Sequence, residues 1–260
     1  MDLQLTGKVA IVTGASRGIG RAIAQTLAQE GMAVAAVARD EAKLRELAGE
    51  IERAGGRCLV QAADLRFPAA PAEVVRTVVA HFGGIDLLVN NAGATKRGDF
   101  LTLADEDWAD GYALKFFGAM RLCREAWPQL SGRRGSIVNI VGVGGRTGSA
   151  EFAIGGSVNA ALLNLTKCLA DRGVGDQVRV NAINPGWIRT DRLAARVEKF
   201  AKEQGMSPEE AEKALAAELK VARFGDSEEI AAMVAFLASG QAGYMQGSIV
   251  DIDGGMTRTL

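Results

Sequence analysis

Residues 9–20 read VAIVTGASRGIG, an apolar run rich in β-branched residues that passes directly into a segment with three glycines. Such a run favours a buried strand, and Gly14, Gly18 and Gly20 permit a tight turn into a following helix. Glycines at this turn also let the backbone approach a pyrophosphate, whose charge then faces the N-terminus of the helix. A glycine triplet alone is a weak signal, but its position at the first strand–helix junction is a much stronger one.

The same alternation continues along the chain. Further apolar runs occupy residues 33–38, 58–62, 85–90, 136–141, 178–184 and 247–252, and helical periodicity appears near 18–30, 41–54, 69–82, 105–129, 152–172, 192–218 and 226–238. Apolar runs without polar alternation are typical of parallel strands covered on both faces. The pattern predicts one α/β domain over residues 1–260, a Rossmann-type doubly wound parallel sheet of about seven strands with helices on both faces.

The segment 191–221 departs from this alternation because it is charged, amphipathic and longer than an ordinary connection. Its apolar residues Leu193, Val197 and Phe200 recur at helical spacing. We expect helices that cover a substrate cleft as a lid. The alternative is a solvated helical hairpin without a role.

Composition and charge restrict the classes of partner. The 260 residues carry a formal net charge of −1, so no basic field attracts nucleic acid or an anionic membrane. The first residues lack the pattern of a secretory signal, and the three cysteines are widely spaced without a CxxC motif. We therefore expect a cytoplasmic protein with no nucleic-acid, membrane or metal partner.

The predicted helix near 105–129 is apolar nearly all round, so it needs partners on every side. The sheet covers one face, and a second subunit is the natural cover for the other. This predicts a homo-oligomer, a dimer or tetramer, and it also allows a hetero-oligomer with a related chain.

Four motifs spread over nearly the whole chain carry a family resemblance. They are TGASRGIG at 13–20, NNAG at 90–93, PGWIRT at 185–190 and DGG at 253–255. With its TGxxxGIG glycine spacing, the chain resembles the short-chain dehydrogenase/reductase family, which implies hydride chemistry with a nicotinamide cofactor and a small-molecule carbonyl or alcohol substrate.

The resemblance also implies which residues bind the cofactor. Those that cradle the diphosphate are Gly14, Ser16, Arg17, Gly18, Ile19 and Gly20. Those that flank the adenine and line the ribose path are Asp64, Leu65, Asn91, Ala92 and Gly93. Those of the loop that holds the carboxamide are Pro185, Gly186, Ile188 and Thr190.

The end of the second strand bears on the choice between NAD and NADP. A carboxylate there would bind both ribose hydroxyls of NAD and repel a 2′-phosphate. This chain has Arg39 at that position and Arg17 in the glycine loop, and two guanidiniums can clamp a phosphate. Asp40, one residue further on, is better placed to cap the next helix. The sequence favours NADP(H) over NAD(H).

The positions of the family's catalytic side chains are changed. Aligned through the fixed motifs, the family's Ser, Tyr and Lys positions hold Gly142, Gly155 and Asn159, and its Asn position holds Lys115. One hypothesis is that Lys115 and Asn159 form an exchanged pair, in which a desolvated Lys115 acts as an acid or polarises a carbonyl and Asn159 binds the ribose. The alternative is that Lys115 reaches solvent or balances the cofactor phosphate.

Two functions follow from these observations. The first is an NADP(H)-dependent oxidoreductase acting on a carbonyl or alcohol substrate with an altered catalytic set. The second is a non-catalytic NADP(H)-binding sensor, or a structural subunit paired with an active relative. Basic residues on the loops expected to rim the cleft, Lys96, Arg97 and Arg146, together with Lys115, favour an anionic ligand such as a carboxylate or an acyl thioester carrier, unless they are ordinary solvated loop charges.

Overall fold

The seven apolar runs form seven parallel strands of one sheet in the computed structural model, which describes residues 1–258. The strands are β1 (Val9–Thr13), β2 (Ala33–Ala38), β3 (Arg57–Ala62), β4 (Leu87–Asn90), β5 (Ser136–Ile140), β6 (Arg179–Pro185) and β7 (Ile249–Ile252). Their order is β3-β2-β1-β4-β5-β6-β7. The order reverses between β1 and β4, where ligands of such sheets bind beyond the carboxyl ends of the strands.

Nine α-helices occur among the described residues. They are α1 (Gly18–Gln29), α2 (Glu41–Arg53), α3 (Ala70–Phe82), α4 (Asp105–Tyr112), α5 (Ala119–Arg133), α6 (Ala153–Asp176), α7 (Asp191–Gln204), α8 (Pro208–Glu218) and α9 (Ser227–Ala238). Two apolar cores cover the two faces of the sheet, and each takes its residues from the strands and from the helices on that face. The predicted doubly wound fold is confirmed.

Side chains cap the first turns of two helices. The Asp40 side chain accepts a hydrogen bond from the Lys43 amide and so caps α2, as predicted. Ser207 and Glu210 form a reciprocal capping box at the start of α8. Each bond satisfies an amide that the first turn of a helix leaves without a partner.

Several elements differ in their bounds from the prediction; β7, for example, begins at Ile249 rather than at residue 247. Strand β4 begins at Leu87 rather than at residue 85. The amide of Val9 on β1 donates to the Asp86 carboxylate at 2.8 Å. This side chain therefore accepts the hydrogen bond that a backbone carbonyl of β4 would otherwise accept. The single helix predicted over 105–129 is interrupted by a π-helical turn at Ala113–Gly118 that joins α4 to α5. Such wide turns are rare and often occur at functional sites.

The segment predicted as a lid contains the two helices α7 and α8 with a small apolar core of their own. Its fully or largely buried members are Leu193, Val197, Ala201, Ala211, Leu215, Ala216 and Phe224. Arg189 anchors the segment by ion pairs to Glu212 on α8, at 2.7 Å, and to Asp226, at 3.0 Å. Within residues 1–258, no helix has both the length and the apolar character that a membrane span requires.

Candidate functional site

The glycine loop forms a rigid corner between β1 and β4. The Thr13 hydroxyl donates to the Val89 carbonyl and accepts from the amides of Asn91, at 2.9 Å, and Ala92, at 3.0 Å. The Asn91 side chain returns a bond of 2.9 Å to the Thr13 carbonyl. These bonds hold the glycine loop and the loop after β4 together, so both predicted cofactor segments lie at the point where the strand order reverses.

The backbone of this corner has no room for side chains. A Cβ on Gly20 would lie less than 3.0 Å from the Gly14 carbonyl oxygen, and a Cβ on Gly14 would lie 2.8 Å from the Asn91 amide nitrogen. Gly18, at φ +53°, faces the Thr190 methyl group across the cleft, at 3.2 Å from a Cβ built on it. The loop that precedes the lid therefore lies against the glycine loop, as the predicted cofactor path requires.

The N-terminus of α1 suits an anion. No acidic residue occurs in its first turn, and no side chain caps it at Arg17. The first amides of the helix therefore remain available to a ligand, and the helix dipole favours negative charge there. A diphosphate fits this cradle.

Within residues 1–258, the carboxylates of Asp40 and Asp64, which follow β2 and β3, each have a partner in the chain. Asp40 is engaged in capping, and Asp64 is ion-paired with Arg66 at 2.6 Å, whose hydrogen bond is the main cause of the lowered pKa of that carboxyl. Arg17 and Arg39 are both exposed and form no ion pair within residues 1–258. Leu65 is buried in the core on its face of the sheet, and its position beside the adenine stays a prediction.

The sequence predicts Gly142 and Gly155 at the family's Ser and Tyr positions, and the local structure disfavours a side chain at both. Gly142 has φ +126°, a backbone conformation that side-chain-bearing residues rarely adopt. Next to Gly155, the ring of Phe152 occupies the space in which a side chain would begin, since a Cβ there would lie less than 3.0 Å from three ring carbons. Phe152 thus fills volume that a tyrosine at residue 155 would need, a relation that the sequence analysis missed.

Lys115 lies in the π-helical turn and points toward the end of β5. Its ammonium donates a bond of 2.6 Å to the Val141 carbonyl, and its methylene groups pack on Gly93, where a Cβ would lie 2.9 Å from the lysine Cδ. Burial, and then the positive charge of Arg192, lower the pKa of Lys115 from 10.5 to about 7. This lysine can therefore give up and regain a proton near neutral pH.

Asn159 reaches the same strand end from α6. Its side-chain nitrogen lies 3.4 Å from the Gly142 carbonyl, so Asn159 and Lys115 contact consecutive backbone carbonyls. The residue is only 2% exposed, and its Oδ1 atom has no hydrogen-bond partner within residues 1–258. A buried acceptor without a partner is costly, and a hydroxyl-bearing ligand such as a ribose would satisfy it.

Two of the basic residues expected at the rim are neutralised. Lys96 is ion-paired with Asp107 at 2.7 Å, and Arg146 with Asp251 at 3.1 Å. The expectation that both present free positive charge to a ligand is wrong, because acidic partners lie within reach in the folded chain. Arg97 keeps its charge free of such partners within residues 1–258.

Two arginines that the sequence did not predict at this site accompany Arg97. Arg192 and Arg196 lie in the first turns of α7, and their charges help to lower the pKa of Arg97, after the larger effect of its own burial. The signal available in the sequence was their spacing of one helical turn, which does not reveal what the helix faces. Among the described residues no three His, Cys, Asp or Glu side chains come together as metal ligands.

Comparison with known proteins agrees with this geometry. The family model described as "Enoyl-(Acyl carrier protein) reductase" matches residues 14–257. The 3-oxoacyl-(acyl-carrier-protein) reductase FabG of Vibrio cholerae is 34% identical over 255 residues, covering 98% of this chain and 99% of its own. The short-chain reductase protein NovJ of Streptomyces niveus is 38% identical over 251 residues, covering 95% of this chain and 93% of its own.

Solved structures show the same architecture. L-sorbose reductase from Gluconobacter frateurii, complexed with NADPH and L-sorbose, superimposes with a TM-score of 0.96 at 36% identity over 100% of both chains. A single-residue variant of actinorhodin polyketide ketoreductase with NADPH superimposes with a TM-score of 0.90 at 32% identity, over 97% of this chain and 98% of that one.

Proposed function

The chain belongs to the short-chain dehydrogenase/reductase family, and on that premise we propose that it is an NADP(H)-dependent oxidoreductase in which Lys115 performs the proton transfer. The substrate is a carbonyl compound or the corresponding alcohol. The observation that carries this proposal is the hydrogen bond of 2.6 Å from the Lys115 ammonium to the Val141 carbonyl. Lys115 also packs on Gly93, in the loop that lies against the glycine loop.

The cofactor preference rests on charge at the end of β2. Arg17 and Arg39 are exposed and without ion pairs among residues 1–258, and the nearby Asp40 and Asp64 carboxylates are engaged elsewhere. Two guanidiniums would bind a 2′-phosphate by charge-assisted hydrogen bonds. The NADPH in the L-sorbose reductase structure supports this preference.

The chemistry divides between the cofactor and the chain. When bound, a reduced nicotinamide supplies a hydride to the substrate carbonyl carbon. The Lys115 ammonium donates a proton to the carbonyl oxygen, becomes a neutral amine and regains a proton from solvent. Because its pKa is lowered to about 7, we expect reduction to slow as the pH rises through that value and the ammonium is lost.

Asn159 has a separate role in this proposal. By the resemblance, the family has a charged lysine at this position. Asn159 has a neutral amide instead, so it can form hydrogen bonds but supplies no charge. The Oδ1 atom, which has no partner within residues 1–258, would accept a hydrogen bond from a ribose hydroxyl, while Nδ2 remains near the Gly142 carbonyl. The residue would thus orient the cofactor.

The test compares Lys115→Met with Lys96→Met, a control on an exposed lysine paired with Asp107. NADPH consumption is followed against a broad panel of carbonyl compounds, and NADP⁺ binding is measured by calorimetry. We expect Lys115→Met to bind NADP⁺ but to lose about 100-fold or more in rate, the usual contribution of a general acid. Unchanged turnover in this variant would contradict the proposed role of Lys115.

A second candidate function is a non-catalytic NADP(H)-binding sensor or a structural subunit paired with an active relative. It is favoured by the missing side chains at Gly142 and Gly155 and by the Phe152 ring that fills the adjoining space. Binding of NADPH without consumption of any carbonyl compound would support it. Activity that appears only after addition of a related chain would support the paired form.

We also propose that the chain self-associates through the face around the π-helical turn. Phe117, 40% exposed, lies on this turn, and Phe67, 66% exposed, follows a loop whose Leu65 carbonyl packs near Gly118. Exposed aromatic residues in one region are typical of an interface. Light scattering should give a dimer or tetramer mass that Phe117→Glu lowers, and a monomer mass for the unaltered chain would contradict this.

A further inference from the structure

Three arginines on or beside the lid have no acidic partner among the described residues. Arg97, on the loop after β4, and Arg192 and Arg196, on α7, form neither an ion pair nor a side-chain hydrogen bond with any residue of 1–258. We name them the arginine cluster. Arg189, close to them in the chain, differs because it forms ion pairs with both Glu212 and Asp226.

Two members of the arginine cluster lie on aromatic rings. The Arg97 guanidinium carbon is 4.0 Å from the centre of the Phe152 ring, and that of Arg196 is 4.2 Å from the centre of the Trp187 ring. Stacking holds a guanidinium flat while its N–H groups at the edge remain free to donate. These guanidiniums are thus held in position with their donors unused.

The arginine cluster is close to the proposed reaction centre. Arg97 stacks on Phe152, the residue whose ring adjoins Gly155. The positive charge of Arg192 lowers the pKa of both Arg97 and Lys115, in each case after the larger effect of burial. The Glu151 carboxylate raises the pKa of Arg97, but it is not within ion-pairing distance of the guanidinium.

Like charges held together repel each other, and an anion relieves that repulsion. We propose that the arginine cluster binds the carboxylate of an oxo acid, so that the substrate of this reductase carries a carboxylate a few bonds from its carbonyl group. A planar carboxylate matches the paired donors of a guanidinium. The contact of Arg97 with Phe152, whose ring adjoins Gly155, favours an acidic group within the substrate over a distant phosphate on a long carrier arm.

This inference rests on the proposed reductase function and names its substrate class. Its test uses binding, so that it does not depend on turnover. The probes are 2-oxobutanoate, 3-oxobutanoate and 4-oxopentanoate, each paired with its methyl ester, and they are titrated by calorimetry into protein saturated with NADP⁺. The variants are Arg97→Gln and Arg192→Gln/Arg196→Gln, and the control is Lys199→Gln, an exposed cation of α7 paired with Glu203.

We expect at least one acid to bind about ten-fold or more tightly than its ester, the effect of one charge-assisted hydrogen bond. Both cluster variants should lose this preference while keeping their melting temperature and NADP⁺ affinity, and Lys199→Gln should keep the preference. Equal binding of acids and esters, no binding of any probe at millimolar concentration, or a preference that survives in the cluster variants would overturn the inference.

The same measurements separate this inference from the proposed function. Preferential binding of an acid without any NADPH consumption would leave the carboxylate site standing and contradict the reductase. Consumption of NADPH with neutral carbonyl compounds, without a preference for acids, would leave the reductase standing and contradict the carboxylate site.

Discussion

The contact between Phe152 and Gly155 can be tested by a double-mutant cycle. In Gly155→Ala, the new Cβ would lie less than 3.0 Å from three carbons of the Phe152 ring. The ring has little freedom to move, because Gly144 lies on another side, where a Cβ would be 2.8 Å from the ring, and Arg97 stacks on its face at 4.0 Å. The substitution therefore forces a rearrangement of packed groups.

Two effects of opposite sign set the expected magnitude. Overpacking costs about 1–3 kcal/mol. Replacing glycine by alanine in a helix contributes at most about 1 kcal/mol of stability, and residue 155 lies in the first turn of α6. Gly155→Ala should therefore lower the free energy of unfolding by about 0–3 kcal/mol. In the Phe152→Ala background the collision is absent, so Gly155→Ala should be stabilising. The coupling free energy between positions 152 and 155 should therefore be about 1–3 kcal/mol.

The assay is urea unfolding of the four proteins, followed by circular dichroism, with the slope of each transition compared. Gly175→Ala is the matched control, since it lies in the same helix and a Cβ there meets nothing within 4 Å. It should stabilise both backgrounds equally. A coupling below about 0.5 kcal/mol between positions 152 and 155 would refute the reasoning, because contacting residues normally couple more strongly.

This cycle also bears on whether the family's tyrosine can be restored. Gly155→Tyr places a larger group in the same space, so we expect it to fold only when Phe152 is replaced by a small residue.

Three further predictions concern the proton donor and the cofactor cradle. Lys115→Met should be more stable than the unaltered chain by about 2–4 kcal/mol at pH 7. The reason is that the pKa of Lys115 is 10.5 in the unfolded chain and about 7 in the folded one, so the charged lysine destabilises the native state. Between pH 7 and 10.5 the unfolded chain binds more protons than the folded chain, so the unaltered protein becomes more stable as the pH rises. The stability difference between Lys115→Met and the unaltered chain should therefore vanish near pH 10.5, which denaturant unfolding at several pH values measures. Gly20→Ala should abolish NADP⁺ binding in calorimetry and cost about 1–3 kcal/mol of stability, because its Cβ would collide with the Gly14 carbonyl. Arg39→Ala should weaken NADPH binding about 10–100-fold and leave NADH binding unchanged, as expected for loss of a charge-assisted bond to the 2′-phosphate.

Controls and contrary outcomes can be stated for each. A stability difference for Lys115→Met that does not change between pH 7 and 10 would contradict the burial of a lysine that loses its proton near pH 7. Normal NADP⁺ affinity in Gly20→Ala would show that the corner does not hold the diphosphate. Arg45→Ala removes an exposed arginine of α2 paired with Glu41 and should not alter cofactor affinity. Equal weakening of NADPH and NADH in Arg39→Ala would contradict phosphate recognition.

The order of strands and helices and the position of the glycine corner were evident from the sequence alone. Both depend on local patterns: apolar runs of strand length, helical periodicity between them, and glycines at a junction. The handedness of parallel connections then restricts the topology, so the doubly wound sheet follows from the order of the elements. The assignment of Lys115, Gly142, Gly155 and Asn159 to the family's catalytic positions stays a prediction from the fixed motifs that flank them.

Only the tertiary structure decided which charges remain free and which spaces are filled. Lys96 is neutralised by Asp107, eleven positions away, and Arg146 by Asp251, 105 positions away, whereas Arg192 and Arg196 have no such partner within residues 1–258. Ion pairing, the placement of an aromatic ring beside a glycine and the burial of a lone amide oxygen all depend on distances between groups that are separate in the chain. Sequence periodicity indicates which face of an element is apolar, but it carries no information about which group from another element meets that face.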